Sequence, residues 1–249
     1  MNKYKSTLLT ASVAALLMSA SASSAAIALL DSGGVAKTQT SASTITVTST
    51  DLGTFDANGA SKLVVTVSGE RGGAGSYAHA GVTYGDVEMT LILGSATDNT
   101  ARYISMWYLD NVTVTGDFVV DFGGNGSGVG FGAVALSGTK AGGAADSSFS
   151  LGTSTSITTT TASEFLMAAG MANGTTAPTA SSPLTQLFSG DTGSSSGAAG
   201  HRFVTSASTV TPTFTGANGV IAASFEAIPE PSAALLGAIG FLVLLRRRR

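Results

Sequence analysis

The sequence predicts an all-β body, an antiparallel two-sheet sandwich, between two terminal segments of a different character. Three observations carry this. Short apolar runs alternate with period two, the mark of strands with a buried face. The chain is rich in Gly, Ser, Thr, Ala and Val and poor in Lys and Glu, which favours short strands and tight turns over long helices. Glycine clusters at Gly72-Gly73, Gly123-Gly124, Gly142-Gly143 and Gly193 to Gly200 punctuate the runs.

In chain order, Thr44 to Thr48 places Ile45 and Val47 on one face. Leu63, Val65 and Val67 share a face, as do Val87, Met89, Leu91 and Leu93. From Tyr103 to Leu109, Ile104, Met106 and Tyr108 oppose Tyr103, Ser105, Trp107 and Leu109. Phe118, Val120 and Phe122 form the next set, and Val134 and Leu136 follow Gly132. The run Gly124 to Gly130 between them reads as a hairpin loop: it lacks the Gly-Lys-Ser/Thr ending of a phosphate loop. Ser156 to Thr161 is a Thr-rich strand. Glu164 to Met171 is apolar on both faces, so it is a central strand or a short helix. His201 to Thr205, Thr209 to Thr215 and Val220 to Ala227 complete the set, with Pro212 marking an edge or bulge. Long loops are expected at Ala172 to Ser182 and Ser189 to Gly200. A faint echo joins Ser61-Lys62-Leu63-Val64-Val65 to Ser163-Glu164-Phe165-Leu166-Met167; two equivalent strands of one sandwich explain it as well as a duplicated domain does, and one domain is expected.

The two ends are not part of this pattern. Lys3 and Lys5 precede an apolar stretch from Leu8 to Met18, and small residues follow, including Ala20-Ser21-Ala22 and Ser23-Ser24-Ala25. Residues 1–25 therefore read as a secretory signal peptide, to be removed by signal peptidase. At the other end, Pro229-Glu230-Pro231 precedes an uncharged run from Ser232 to Leu245 and then Arg246, Arg247, Arg248 and Arg249. The prolines break regular structure. The run suits lipid, and the arginines hold the end on the cytoplasmic side. As a helix the run spans about 21 Å against a hydrocarbon core of about 30 Å, a marginal length that suits a temporary span better than the alternative, an ordinary C-terminal membrane anchor, which does not require Pro-Glu-Pro. The expected organisation is thus 1–25 signal helix, 26–227 sandwich, and 228–249 transmembrane helix with an Arg-rich tail.

That C-terminal arrangement resembles the PEP-CTERM sorting signal of Gram-negative bacteria. The resemblance implies a processing partner, the membrane transpeptidase exosortase, which recognises Pro229, Glu230 and Pro231 and removes the tail. It also implies transient anchoring in the inner membrane with the body outside the cytoplasm, then the cell surface or an extracellular matrix. In the body, the order Leu63-Val64-Val65-Thr66-Val67, Val82-Thr83-Tyr84-Gly85, Met89-Thr90, Trp107-Tyr108-Leu109-Asp110-Asn111 and Gly138 is similar to exported bacterial jelly-roll or concanavalin-like modules. This second resemblance implies a fold and brings no catalytic residues.

Between Ala26 and Ile228 there are six basic and fourteen acidic residues, a formal charge of −8. A body so acidic lacks the footprint of a nucleic-acid binder. There is no cysteine, so neither disulfides nor thiolate metal sites support it.

No catalytic constellation emerges. His79 and His201 are far apart and read as surface residues. Gly193-Ser194-Ser195-Ser196-Gly197 matches the pattern of a nucleophile elbow without its strand-to-helix context, so Ser195 reads as a loop residue. Glu70, Asp86 and Glu88 are the acidic candidates for a hydrolase, which requires two carboxylates in a cleft. Calcium candidates are Asp121 with Asn125, and Asp110 and Asn111 with Asp117; neither set has regular calcium-loop spacing, and no cofactor or metal site is expected. Tyr77, Tyr84, Tyr103, Trp107 and Tyr108 are the aromatics available for sugar stacking, with Tyr84, Trp107 and Tyr108 the leading set. Trp107 and Tyr108 point to opposite faces, which favours packing for at least one. The expected function is a non-enzymatic surface or matrix component associated with exopolysaccharide. The alternatives are a carbohydrate-binding module of the same layer and an exported hydrolase.

Overall fold

The structure is a computed structural model and describes residues 26–72, 79–97 and 102–228. Residues Ala26–Ala227 cluster as one compact unit. The signal helix expected at 1–25 and the sorting tail expected from Pro229 onward lie outside the described residues.

The first half of the body supplies β1 (Ala28–Val47), β2 (Lys62–Gly72), β3 (Gly81–Tyr84), β4 (Val87–Glu88), β5 (Thr90–Ala96), β6 (Arg102–Asp110) and β7 (Phe118–Ser137). The second half supplies β8 (Asp146–Leu151), β9 (Ile157–Thr159), β10 (Glu164–Ala172), β11 (Thr179–Ala180), β12 (Thr185–Asp191), β13 (Ser196–Val204), β14 (Ser208–Val210), β15 (Phe214–Thr215) and β16 (Gly219–Phe225). The first seven form one antiparallel sheet in the order β4-β3-β7-β2-β6-β5, with β1 along the other side of β7. A second sheet has the order β12-β13-β10-β16-β8. Two ribbons, β9 with β14 and β11 with β15, accompany it.

The body is therefore the all-β, antiparallel sandwich that the alternation predicts. Its chain order differs from a jelly roll, whose paired Greek keys run through both sheets. Here each sheet is drawn from its own half of the sequence.

Three apolar layers result. Val64, Ile104, Met106, Val134 and Leu136 of the first sheet meet Phe165, Met167, Ile221 and Phe225 of the second. The outer face of the first sheet buries Val65, Trp107, Phe118, Val120 and Phe131 beneath Leu52, Phe55 and Ala57. The outer face of the second buries Leu166, Val220 and Ala222 beneath Ile157, Val210 and Phe214 of the two ribbons. Central strands are thus covered on both faces. This explains why Glu164 to Met171 reads as apolar throughout: β10 is a central strand, not a helix, and every residue of it is buried.

Several boundaries differ from the sequence reading. The expected strand Val87 to Leu93 is split at Met89, whose side chain turns into the outer core. Thr209 to Thr215 is two strands with Pro212 between them. The expected loop Ser189 to Gly200 is a tight turn between β12 and β13. Most of β1, and β8 and β12, carry no alternation that marks them; their partner strands hold them in place.

The largest correction is the glycine run 124–130, which is the interior of β7 rather than a hairpin. Register shifts against both β1 and β2 fall within it. They move the even positions from the outer core at Phe118, Val120 and Phe122 to the inter-sheet layer at Val134 and Leu136. Glycine is needed there for close approach as well: a Cβ on Gly132 would stand 2.8 Å from the Ala199 Cβ of the facing sheet. Gly132→Val is therefore expected to cost about 1–3 kcal/mol by overpacking, read as a lower denaturant midpoint.

Candidate functional site

The most unusual constellation of the body lies where β2 begins and β6 ends. Lys62 and Asp110 are directly paired across these neighbouring strands. Period-two alternation sends the Lys62 side chain to the same face as Val64, into the layer between the sheets. Its side chain is 1% exposed. Phe225 comes from the facing sheet, and Gly142 from the connection between β7 and β8.

Four contacts fix the ammonium. Lys62 Nζ pairs with Asp110 Oδ1 and donates to the Gly142 carbonyl at 2.6 Å. It sits 4.6 Å from the centroid of the Tyr108 ring and 5.8 Å from that of Phe225, within cation–π range. The Asp110 carboxylate is held by its other oxygen, which accepts from the Gly142 N–H at 2.6 Å. Gly142 thus clamps both members of the pair, one with its carbonyl and one with its amide. Burial pushes the Lys62 ammonium below its ordinary pKa, and the hydrogen bond and charge of Asp110 oppose that shift. A surface hollow of about 140 Å³ lies beside the clamp, lined by Lys140, Ala144, Phe225 and Glu226 among others.

Lys62 enters the sequence reading only through the echo of residues 61–65 and in the count of basic residues, not as a site residue. The available signal was its register: a lysine two positions before Val64, on a strand whose two faces are both apolar. The echo between residues 61–65 and 163–167 brings out the parallel, because Glu164 also opens a central strand as a buried charge. Glu164 Oε1 accepts from the N–H groups of Thr160 and Thr161 at 2.8 Å each and closes the turn before β10.

Both histidines are corrections: neither is at the surface. His79 is 4% exposed, with its ring edge-on to Tyr103 and Phe122. Its Nδ1 is 2.7 Å from Ser105 Oγ, which also accepts from Trp107 Nε1 at 2.8 Å. Its Nε2 is buried without a hydrogen-bond partner among the described residues. Burial lowers its pKa to about 3. His201 is 7% exposed and stacks on Phe165; burial lowers its pKa too. Apolar neighbours on adjacent strands bury them, a feature that flanking glycine and alanine do not reveal.

The stacking candidates do not form a platform. Tyr84 is in the outer core against Phe118, with ring centroids 4.6 Å apart, and its hydroxyl accepts from the Ala57 N–H. Trp107 is in the same core, while Tyr108, half-buried, lies under Lys62 on the opposite face. Neither Tyr84 nor Trp107 offers a ring face to a sugar. Tyr77 lies outside the described residues, as do Pro229, Glu230, Pro231 and Arg246 to Arg249.

The remaining candidates are spent locally. Ser195 is buried, and its Oγ is 2.8 Å from Thr192 Oγ1 within the β12–β13 turn. Glu70 pairs with Arg102 at 3.2 Å, while Asp86 and Glu88 are exposed on the β3–β4 hairpin. Asp121 accepts from the Gly123 N–H, and Asp117 from the Ser49 N–H. No group of three metal-ligating side chains occurs among the described residues. No protein-family model, no curated protein and no solved structure matches the chain.

Proposed function

We propose that this chain is an exported, non-enzymatic component of a bacterial surface or extracellular matrix, sorted through its C-terminal tail. One observation carries the reading: the order Pro229-Glu230-Pro231, uncharged run, Arg246 to Arg249, in a chain whose residues 1–25 read as a signal peptide. Each part has its own task. The signal peptide carries the body across the inner membrane. The tail stops transfer, because each arginine costs roughly 2.5–3.5 kcal/mol at the centre of a membrane helix. An exosortase then cleaves at the Pro-Glu-Pro motif and passes the body to the surface or the matrix. The body contributes bulk and surface to that layer, with exopolysaccharide as its neighbour.

The parts are separable by mutation. Replacing Pro229, Glu230 and Pro231 by alanine is expected to leave membrane insertion intact and abolish cleavage. The full-length species then accumulates in the membrane fraction. Replacing Arg246 to Arg249 by neutral residues removes the stop, and the chain slips through unprocessed. Fractionation and immunoblotting read both. An alanine variant processed like the parent contradicts the sorting reading.

A further inference from the structure

Lys62 and Asp110 meet under conditions that favour more than an ion pair. The amine and the carboxyl are in direct contact, held by neighbouring strands and by the two ends of the Gly142 peptide unit. Tyr108 and Phe225 cover the amine, whose side chain is 1% exposed. The chain has no cysteine with which to staple itself, and the two residues are 48 positions apart in sequence. We infer that Lys62 Nζ and Asp110 Cγ condense to an intramolecular isopeptide bond, with release of one water, and so tie β2 to β6 covalently.

The step balances within the pair. A proton passes from the Lys62 ammonium to Asp110 Oδ1, leaving a neutral amine and a carboxylic acid. Burial disfavours the Lys62 ammonium and so favours release of this proton, against the hydrogen bond and charge of Asp110. The Nζ lone pair then attacks Cγ and the C–N bond forms. Charge develops on Oδ2, where the Gly142 N–H already donates at 2.6 Å, as a donor in an oxyanion hole does. The Gly142 carbonyl accepts from Nζ at 2.6 Å and turns the amine toward the carboxyl. A second proton moves from nitrogen to Oδ1, the Cγ–Oδ1 bond breaks, and water leaves. One hydrogen stays on the new amide. No oxidant, metal or further reactant enters. Holding amine and carboxyl in contact supplies an effective concentration that reaches roughly 10⁵–10⁸ M in well-oriented intramolecular reactions.

Peptide mapping of the full chain tests this, after expression in a Gram-negative host and denaturation. An acylated Lys62 resists trypsin. Segments 38–71 and 103–140, bounded by the cleavage sites at Lys37, Arg71, Arg102 and Lys140, are then expected as one branched species, lighter than their sum by one water. Quantitative cleavage after Lys62, with segment 103–140 recovered free, overturns the bond. Lys62→Arg keeps a cation over Tyr108 but cannot give the same cross-link, so the branched species is expected to vanish. A cross-link to Asp110 that persists in Lys62→Arg refutes the assignment to Lys62.

Discussion

Asp110→Ala is expected to destabilise the body by at least about 3–5 kcal/mol, because it strands the buried Lys62 charge and also removes the partner of the cross-link. The variant leaves the Lys62 ammonium between Tyr108 and Phe225 with the Gly142 carbonyl as its remaining acceptor. It also releases the Gly142 N–H that Asp110 held. The Lys62 side chain is 1% exposed, so water reaches the ammonium only through the space that Asp110, 21% exposed, leaves behind. Adding Lys62→Met in the same chain removes the stranded charge and keeps the apolar stem, so the part of the loss that comes from the charge is expected to return, while the part that comes from the missing cross-link is not. The exposed pair Lys140–Glu226 sets the contrast: Lys140 is 62% exposed there, and Lys140→Ala is expected to cost less than about 1 kcal/mol. Chemical denaturation of the four proteins orders them. Equal effects at Asp110 and Lys140 contradict the buried clamp.

The body is also expected to lose stability as the pH falls below neutral, with His79 the main cause. In the unfolded chain this imidazole titrates near 6.5; folded, burial holds it down to about 3. The unfolded state therefore takes up a proton that the folded state refuses. Stability is full above the unfolded value and is lost progressively as the pH falls from 6.5 toward 3. The whole shift corresponds to a loss on the order of 5 kcal/mol. His201 is shifted downward too and adds in the same direction. Asp51, lowered from 3.8 to about 2 first of all by its hydrogen bond with Lys37, adds a later loss in that more acid window. His79→Phe tests the assignment. Phenylalanine suits a site bordered by Tyr103 and Phe122, and Ser105 keeps its bond from Trp107. The variant is expected to show a smaller drop in denaturant midpoint between neutral pH and about pH 4.5. An unchanged drop assigns the acid sensitivity elsewhere.

The fold class was legible because alternation reports directly on a buried face. Leu63, Val65 and Val67, or Ile104 with Met106, stand on shared faces as their spacing requires. The pattern failed where another force set the structure. In β7, a bulge inside the glycine run switches the faces, so one long strand reads as two. In β1, the stretch around Gly33 and Gly34 has no alternation and is held by its ladder to Ala133 and Gly132. The candidate site was hidden for a different reason. A lysine reads as a surface residue until the register of β2, the loop at Gly142 and the facing Phe225 are brought together. Those three lie far apart in sequence. The sorting motif is the opposite case, legible because its order is linear and needs no tertiary contact.

A sorting tail is removed on the way to the surface, whereas a plain anchor stays. Mass spectrometry of the mature C-terminus separates the two most directly, on protein taken from the surface of the native bacterium. The expected mature chain ends at or near Pro229-Glu230-Pro231, with the apolar run and Arg246 to Arg249 gone. A mature surface protein that still carries Arg249, in cells with an active exosortase, contradicts the sorting signal.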